Sequence, residues 1–328
     1  MEQLTQEKNL KSAKTMFESV CRVVDAIGWS YDKDEANLSI DTTIRGDDLT
    51  LHLSVMVDVR SQVVILESKL PFNIQKEYYD EVARAINYVN KRLIDGAFNF
   101  SCRYGAVYFR ATECFKESLI SDDVLKDLIR DSLNEVDRYN DYLFYLGAGI
   151  KTLEDFVAFA DTLSYPAKEI DERVSKRGKE VFDTICEVME DHGWKYYKDE
   201  QKLNIGISFD TEDYDIGLHF FIDLDTQKIT LLSMLPFEMQ EGAIDKCAIA
   251  ACEVNYRLKD GDFLCDFANN RIFFKLTTSF KGSLLSKSLL DEFLDLAYAI
   301  VDIYNDKFAA LNSGEMSLQD FVDFINGK

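Results

Sequence analysis

Residues 14 to 161 align with residues 179 to 326 at a constant offset of 165, without a gap, and 52 of the 148 positions are identical. Self-similarity at one fixed period marks one structural unit used twice, so any fold for this chain must be satisfied by both halves. The identities include Phe17/Phe182, Cys21/Cys186, Gly28-Trp29/Gly193-Trp194 and Leu70-Pro71-Phe72/Leu235-Pro236-Phe237. They continue through Asn90/Asn255, Arg92-Leu93/Arg257-Leu258, Asp95-Gly96/Asp260-Gly261 and Tyr139-Asn140-Asp141/Tyr304-Asn305-Asp306. At 328 residues, 47% of them hydrophobic, each half can bury its own core. The expected units are 1–163 and 164–328, with a polar linker at about 162–176.

Reading one copy and checking it on the other gives the same elements twice. Met16, Phe17, Val20, Cys21, Val23, Val24 and Ile27 recur at helical spacing, and Gly28 ends the run. Three antiparallel strands follow: Trp29 to Tyr31 with Leu38 to Ile44, then Leu49 to Val59, then Val63 to Lys69, with polar breaks at Asp32 to Asn37, Gly46 to Asp48 and Arg60 to Gln62. Pro71 and Pro236 cannot donate to a ladder and are expected to end the third strand and lead into a helix at about 74–94. Two strands, Phe98 to Arg103 and Ala106 to Thr112, form a hairpin turning at Tyr104-Gly105, or at Asn269-Asn270 in the second copy. A long helix runs from Ser121 to Leu146, and a short last helix opens on a capping box at Thr152 to Asp155 and Ser317 to Asp320. The linker, with Ser164 before Pro166, is expected to be helical and stiff. The fold class is α+β: two tandem repeats, each a mostly antiparallel five-stranded sheet in the order α-β-β-β-α-β-β-α, plus the short C-terminal helix.

Charge and missing motifs narrow the function. The net charge of -22 is spread along the chain and repels phosphate backbones and anionic lipid, so neither nucleic acid nor a membrane is expected as partner. The N-terminus lacks the basic and apolar blocks of a secretory signal, and no apolar run is long enough to span a bilayer, which together point to the cytoplasm. Cys21, Cys186, Cys102, Cys247 and Cys252 sit in apolar surroundings without a CxxC pair and read as reduced core thiols. There is no GxGxxG, P-loop, HExxH or GxSxG. His52 and His219 are not equivalent under the offset, and His192 has Ile27 as its counterpart, which rules out a histidine catalyst common to both copies. Asp210, Glu212, Asp213 and Asp215, or Asp223 with Asp225, lack the spacing and glycine of a calcium loop and read as turn chemistry. Asn90 and Asn255 are expected to close backbone hydrogen bonds at a helix end, and Arg92 and Arg257 to pair with carboxylates. Trp29 and Trp194 read as core residues. No catalytic, cofactor-binding or metal-binding residue is assigned, no cofactor is implied, and the partner-binding residues are left open.

The element order, the Leu-Pro-Phe after the third strand, the Asn-x-x-Leu-x-x-Gly-x-Phe closing the second helix, and the aromatic-basic strand ends Phe109-Arg110 and Phe274-Lys275 resemble the YbjN family. The resemblance covers about 14–147 and again 179–312. It implies a fold like that of type III secretion chaperones, whose members pair as dimers and hold a partner segment in extended form. YbjN proteins themselves have been labelled candidate sensory transduction regulators. The expected function is therefore a non-enzymatic protein-binding module, chaperone-like or regulatory, whose partner is another protein or a peptide segment. Two fused copies are expected to supply a pseudo-dimer within one chain. An enzyme with an unrecognised carboxylate or arginine site, and a structural self-assembly unit, remain the alternatives.

Overall fold

The structure is a computed structural model that describes residues 2–45, 49–163, 170–211 and 213–327, with the side chains of residues 2–4 outside the description. The first half runs α1 (Glu2–Ile27), β1 (Asp32–Asp34), β2 (Ser39–Arg45), β3 (Thr50–Asp58), β4 (Val63–Asn73), a 3-10 turn at Lys76–Tyr78, α2 (Tyr79–Asn90), β5 (Ala97–Ser101), β6 (Ala106–Cys114), α3 (Asp122–Gly147) and α4 (Leu153–Thr162). The second half repeats this as α5 (Glu172–Asp191), β7 (Tyr197–Asp199), β8 (Asn204–Phe209), β9 (Ile216–Asp223), β10 (Lys228–Met234), a 3-10 turn at Glu241–Ala243, α6 (Ile244–Arg257), β11 (Asp262–Asp266), β12 (Arg271–Ser279), α7 (Lys287–Ser313) and α8 (Leu318–Ile325). Each half contributes one six-stranded antiparallel sheet, in the orders β1-β2-β3-β4-β6-β5 and β7-β8-β9-β10-β12-β11. Among the described residues no helix is long and apolar enough to cross a membrane.

Each sheet has six strands, against the five expected. The sixth is the short edge strand Asp32–Asp34, or Tyr197–Asp199, formed from residues that read as a polar break. It pairs along one edge and buries almost nothing, so it carries no apolar pattern to read. Its hairpin is made instead by the Asp34 carboxylate, which accepts from the amides of Ala36 and Asn37, and by Leu38 in the left-handed region at φ 50°. Asp199 and Leu203 do the same in the second copy.

Pro71 does not end its strand. β4 continues to Asn73, through a register shift between Lys69 and Asn73. The proline lies beyond Lys69, the last residue paired with β3, so no ladder donor is missed there. In the second copy β10 stops at Met234, before Pro236, as expected. The second helix starts at Tyr79, later than 74, because Gln75 is extended at φ -74° and ψ 142° and a 3-10 turn follows it; the amides of Ile74 and Gln75 donate to Gly105 O and Gly147 O. The helix start expected at Ser164 lies outside the described residues; Asp171 caps α5, accepting from the Val174 amide at 2.9 Å. Both capping boxes of the short last helices form as read.

Asn90 and Asn255 join the end of one helix to the next strand and do not close the helix's own carbonyls. Asn90 donates to Phe98 O and accepts from Phe98 N, both at 2.8 Å, and Asn255 makes the same pair with Phe263, both at 2.7 Å. The intervening Asp-Gly is required by space: Gly96 and Gly261 have φ of 66° and 75°, and a Cβ there would lie 2.6 Å from the Phe109 ring and 2.4 Å from the Phe274 ring.

The two halves meet about a pseudo-two-fold axis. Leu119 and Leu284, equivalent residues, exchange backbone hydrogen bonds at 3.3 Å each way. Glu113 accepts from the hydroxyl of Thr278, its own counterpart, and Asn87 donates to the sulfur of its counterpart Cys252 at 3.6 Å. A residue touches its own copy only on such an axis, and off the axis each contact must occur twice. Lys116 pairs with Glu292 while Lys281 pairs with Asp127, the equivalent residues exchanged. The seam is part of the interior: Ala248, Ile249 and Cys252 belong to the first core, and Val63, Ile65 and Cys114 to the second.

Candidate functional site

The aromatic-basic pairs Phe109-Arg110 and Phe274-Lys275 lie in the middle of β6 and β12 and not at strand ends as expected, and they act across the seam. Arg110 donates to the carbonyls of Asn255, at 3.0 Å, and Leu258, where α6 ends. Lys275 donates to Leu93 O at 3.2 Å and Asn90 O at 3.4 Å, where α2 ends. Each repeat thus places a cation on the negative end of the other repeat's helix, which satisfies carbonyls left without an intrahelical donor. Around these lie the buried carboxyls of the seam. Burial pushes Glu113 up to about 7 and Asp262 up to about 6, against the pull of Lys228 on the first and of Lys275 and Arg110 on the second. Burial works to lower Lys228, but Asp95, 2.5 Å away, and Glu113, 3.8 Å away, hold it above the usual lysine range.

Beside the seam, a cleft of about 850 Å³ opens between the first repeat's β5–β6 turn and the second repeat's α6 and α8. The β5–β6 turn supplies Cys102 and Arg103, and the 3-10 turn and start of α2 supply Lys76 and Tyr79. Ile249, Leu318 and Val322 give the opposite wall an apolar surface. At its base the buried Glu253 carboxylate accepts from the Cys102 amide at 2.6 Å. The Arg103 amide and the Cys102 thiol also bond to it, while burial pushes Glu253 above the usual carboxylate range. Burial first, and Glu253 second, push the Cys102 thiol far up, so it stays protonated and is no nucleophile.

At the equivalent place on the other side of the seam the side chains differ. Cys102 and Glu253 have Phe267 and Tyr88 as counterparts, and Phe267 packs against both cores. The cations there are matched: Arg84 pairs with Asp245, and Arg92 with Asp161 at 2.6 Å, which also accepts from the Tyr88 hydroxyl at 2.5 Å. On the open side the counterpart of Asp161 is Asn326, which accepts from Arg257 at 2.5 Å without a charge to offer. Among the described residues Lys76, Arg103 and Arg257 form no salt bridge. The pairing expected of Arg92 with a carboxylate is present; for Arg257 it is replaced by a carboxamide.

The other residues singled out by sequence are scattered. His52 bonds to Thr43 at 3.2 Å on β3, His219 packs over Gly206 on β9, and His192 bonds to Asp291 at 2.9 Å while stacking on Trp194. Trp29 and Trp194 are each half-buried at the margin of a core. Glu212 lies outside the described residues; Asp223 caps the turn at Asp225 and Thr226. All seven cysteines are free, and Cys102 is the one not fully buried. Among the described residues no cluster of metal-ligating side chains occurs. The cleft was missed because its residues come from both repeats; its trace in the sequence was the loss of identity between Cys102 and Phe267 and between Glu253 and Tyr88.

No family model matches the chain. No curated protein matches it either. Among solved structures it is similar to the crystal structure of YbjN, a candidate transcription regulator from E. coli, at 14% identity and a TM-score of 0.31, over 39% of this chain and 89% of that one. That protein belongs to the family whose motifs the sequence resembles.

Proposed function

We propose that the chain is a single-chain pseudo-dimer, units 1–163 and 164–328, that binds a polypeptide partner in the cytoplasm and performs no chemistry of its own. The observation that carries this reading is the cleft at the seam, whose apolar and charged walls come from both repeats and whose Cys102 and Glu253 have the aromatic Phe267 and Tyr88 at the equivalent points of the other side. The titrating groups at the open site favour binding over catalysis, since its thiol is protonated and its carboxylate is committed to two backbone amides. The expected sensory or chaperone-like role is a use of such binding.

The test is crosslinking of the purified chain in lysate, with the crosslinked sites mapped by mass spectrometry. A polypeptide joined at residues bordering the cleft, and displaced by excess unlabelled chain, is the expected result. Crosslinks confined to other copies of this chain would favour self-assembly. Turnover of a small molecule that is abolished by Glu253→Gln would favour an enzyme.

A further inference from the structure

We propose that the open cleft takes an acidic polypeptide segment, one whose carboxylate lies among apolar side chains, and that this carboxylate seats among Lys76 and Arg103 of the first repeat and Arg257 of the second. The proposal rests on the protein-binding reading and gives that binding its chemistry. Its support is a comparison the molecule makes with itself. On the closed side the chain meets its own cations with carboxylates, Asp245 for Arg84 and Asp161 for Arg92. On the open side the equivalent of Asp161 is Asn326, and Lys76, Arg103 and Arg257 form no salt bridge among the described residues, although the Glu253 carboxylate acts on Arg257 at longer range and Asp323 also lines the cleft. The one buried carboxylate at hand, Glu253, is already held by the amides of Cys102 and Arg103. A bound segment would supply the carboxylate that Asn326 does not, and a guanidinium receives a carboxylate through charge-assisted hydrogen bonds.

Charge alone does not complete the site. A net charge of -22 repels a purely acidic chain at long range, so part of the affinity must come from apolar contact. Ile249, Leu318 and Val322 provide that surface on the wall facing Arg103 and Lys76. Nucleic acid has the phosphate charge but no apolar side chains, and suffers the same repulsion along its whole length.

The experiment uses the full chain and two end-blocked, fluorescein-labelled decapeptides of alternating leucine and glutamate or leucine and glutamine, read by fluorescence anisotropy. The glutamate peptide is expected to bind at least about tenfold more tightly than the glutamine peptide. The double variant Arg103→Gln with Arg257→Gln should bring the two peptides to equal affinity, and Arg84→Gln with Arg92→Gln, on the closed side, should change neither. Thermal melting confirms that both double variants are folded. Equal binding of the two peptides, equal loss from the closed-side variant, or no binding of either peptide overturns the proposal, as does sodium octanoate binding as tightly as the glutamate peptide. The lysate crosslinking, repeated with the Arg103→Gln and Arg257→Gln variant, separates the two readings. A partner captured equally by variant and native chain leaves protein binding standing and removes it from this cleft; a partner captured by neither removes both.

Discussion

The two sides of the inter-repeat seam started from one sequence and now differ in what fills them. Phe267 and Tyr88 occupy one side, with Arg84 and Arg92 each held by a carboxylate; Cys102 and Glu253 stand at the equivalent points of the other, which is open. The scaffold around both has not diverged. Asn90 and Asn255 clamp equivalent strands, Gly96 and Gly261 make the same close approach, and Arg110 and Lys275 both cap the opposing helix. In a duplicated chain, identity between copies marks what the fold needs, and a departure beside an identical scaffold marks where selection was free to build something else.

The largest effects should fall on the duplicated scaffold and be equal in the two copies. Asn90→Ala leaves the buried amide and carbonyl of Phe98 unpaired, and Asn255→Ala does the same to Phe263. With about 1–3 kcal/mol for each unsatisfied group, either variant should lose roughly 2–6 kcal/mol by chemical denaturation. A loss several-fold smaller in one copy would break the equivalence on which the comparison stands.

The seam itself is symmetric in position but not in charge, and pH should expose this. Glu113 sits on the axis opposite Thr278, its pKa raised from 4.5 to about 7 chiefly by burial, with Lys228, Thr278 and Ser279 facing it. Its folded value lies above the unfolded one, so its contribution to stability is complete below about pH 4.5 and is lost as pH rises through 7. Asp262, raised to about 6, acts in the same direction. Glu113→Gln keeps an oxygen to accept from Thr278 and Ser279 but carries no charge. The unfolding free energy of the variant relative to the native chain should therefore rise by roughly 3 kcal/mol between pH 4.5 and pH 8. A difference that stays flat over that range would mean that Glu113 is not desolvated at the axis.

How much of this was legible follows from where each feature gets its stabilisation. The first helix and β3 bury one face, so Met16 to Val24 and Leu51 to Val57 show their period in the sequence, whereas Val63 to Leu66 bury both faces between the two cores and read as an unbroken apolar run. The sixth strand was invisible because Asp32–Asp34 is exposed, and its hairpin depends on backbone bonds and an aspartate that looks the same in a loop. Pro71 misled because a proline ends pairing only where a donor is needed, and the pairing with β3 had already stopped. Asn90 was recognised as a backbone ligand, but its partner, eight residues on in a strand, needed coordinates. The cleft is tertiary throughout: Glu253 and Cys102 are 151 residues apart and meet only because the repeats dock.

The local signals that were legible carry smaller effects. Thr152 and Ser317 cap α4 and α8, accepting from the amides of Asp155 at 3.2 Å and Asp320 at 3.1 Å. Alanine at either position should cost about 1 kcal/mol by thermal or chemical unfolding. Because α8 lines the cleft and α4, its counterpart in the first repeat, does not, fraying caused by Ser317→Ala should also weaken the leucine–glutamate peptide, whereas fraying from Thr152→Ala should not.

The smallest stability change belongs to the pair that separates the two sides most directly. Asp161 and Asn326 occupy equivalent positions, one giving Arg92 a carboxylate and the other giving Arg257 only a carboxamide. Both lie at the surface, where an ion pair is worth about 0–1 kcal/mol, so Asp161→Asn and Asn326→Asp should each shift stability by no more than that. Their effects on binding should differ. Asn326→Asp supplies within the chain the carboxylate that the closed side already has, and it should compete with the leucine–glutamate peptide for Arg257 and weaken its binding several-fold. Asp161→Asn removes a charge from the side away from the cleft and should leave peptide affinity where it was. If Asn326→Asp binds the peptide as well as the native chain, then the difference between Asp161 and Asn326 is drift, and Arg257 is without a salt bridge for no purpose that binding reveals.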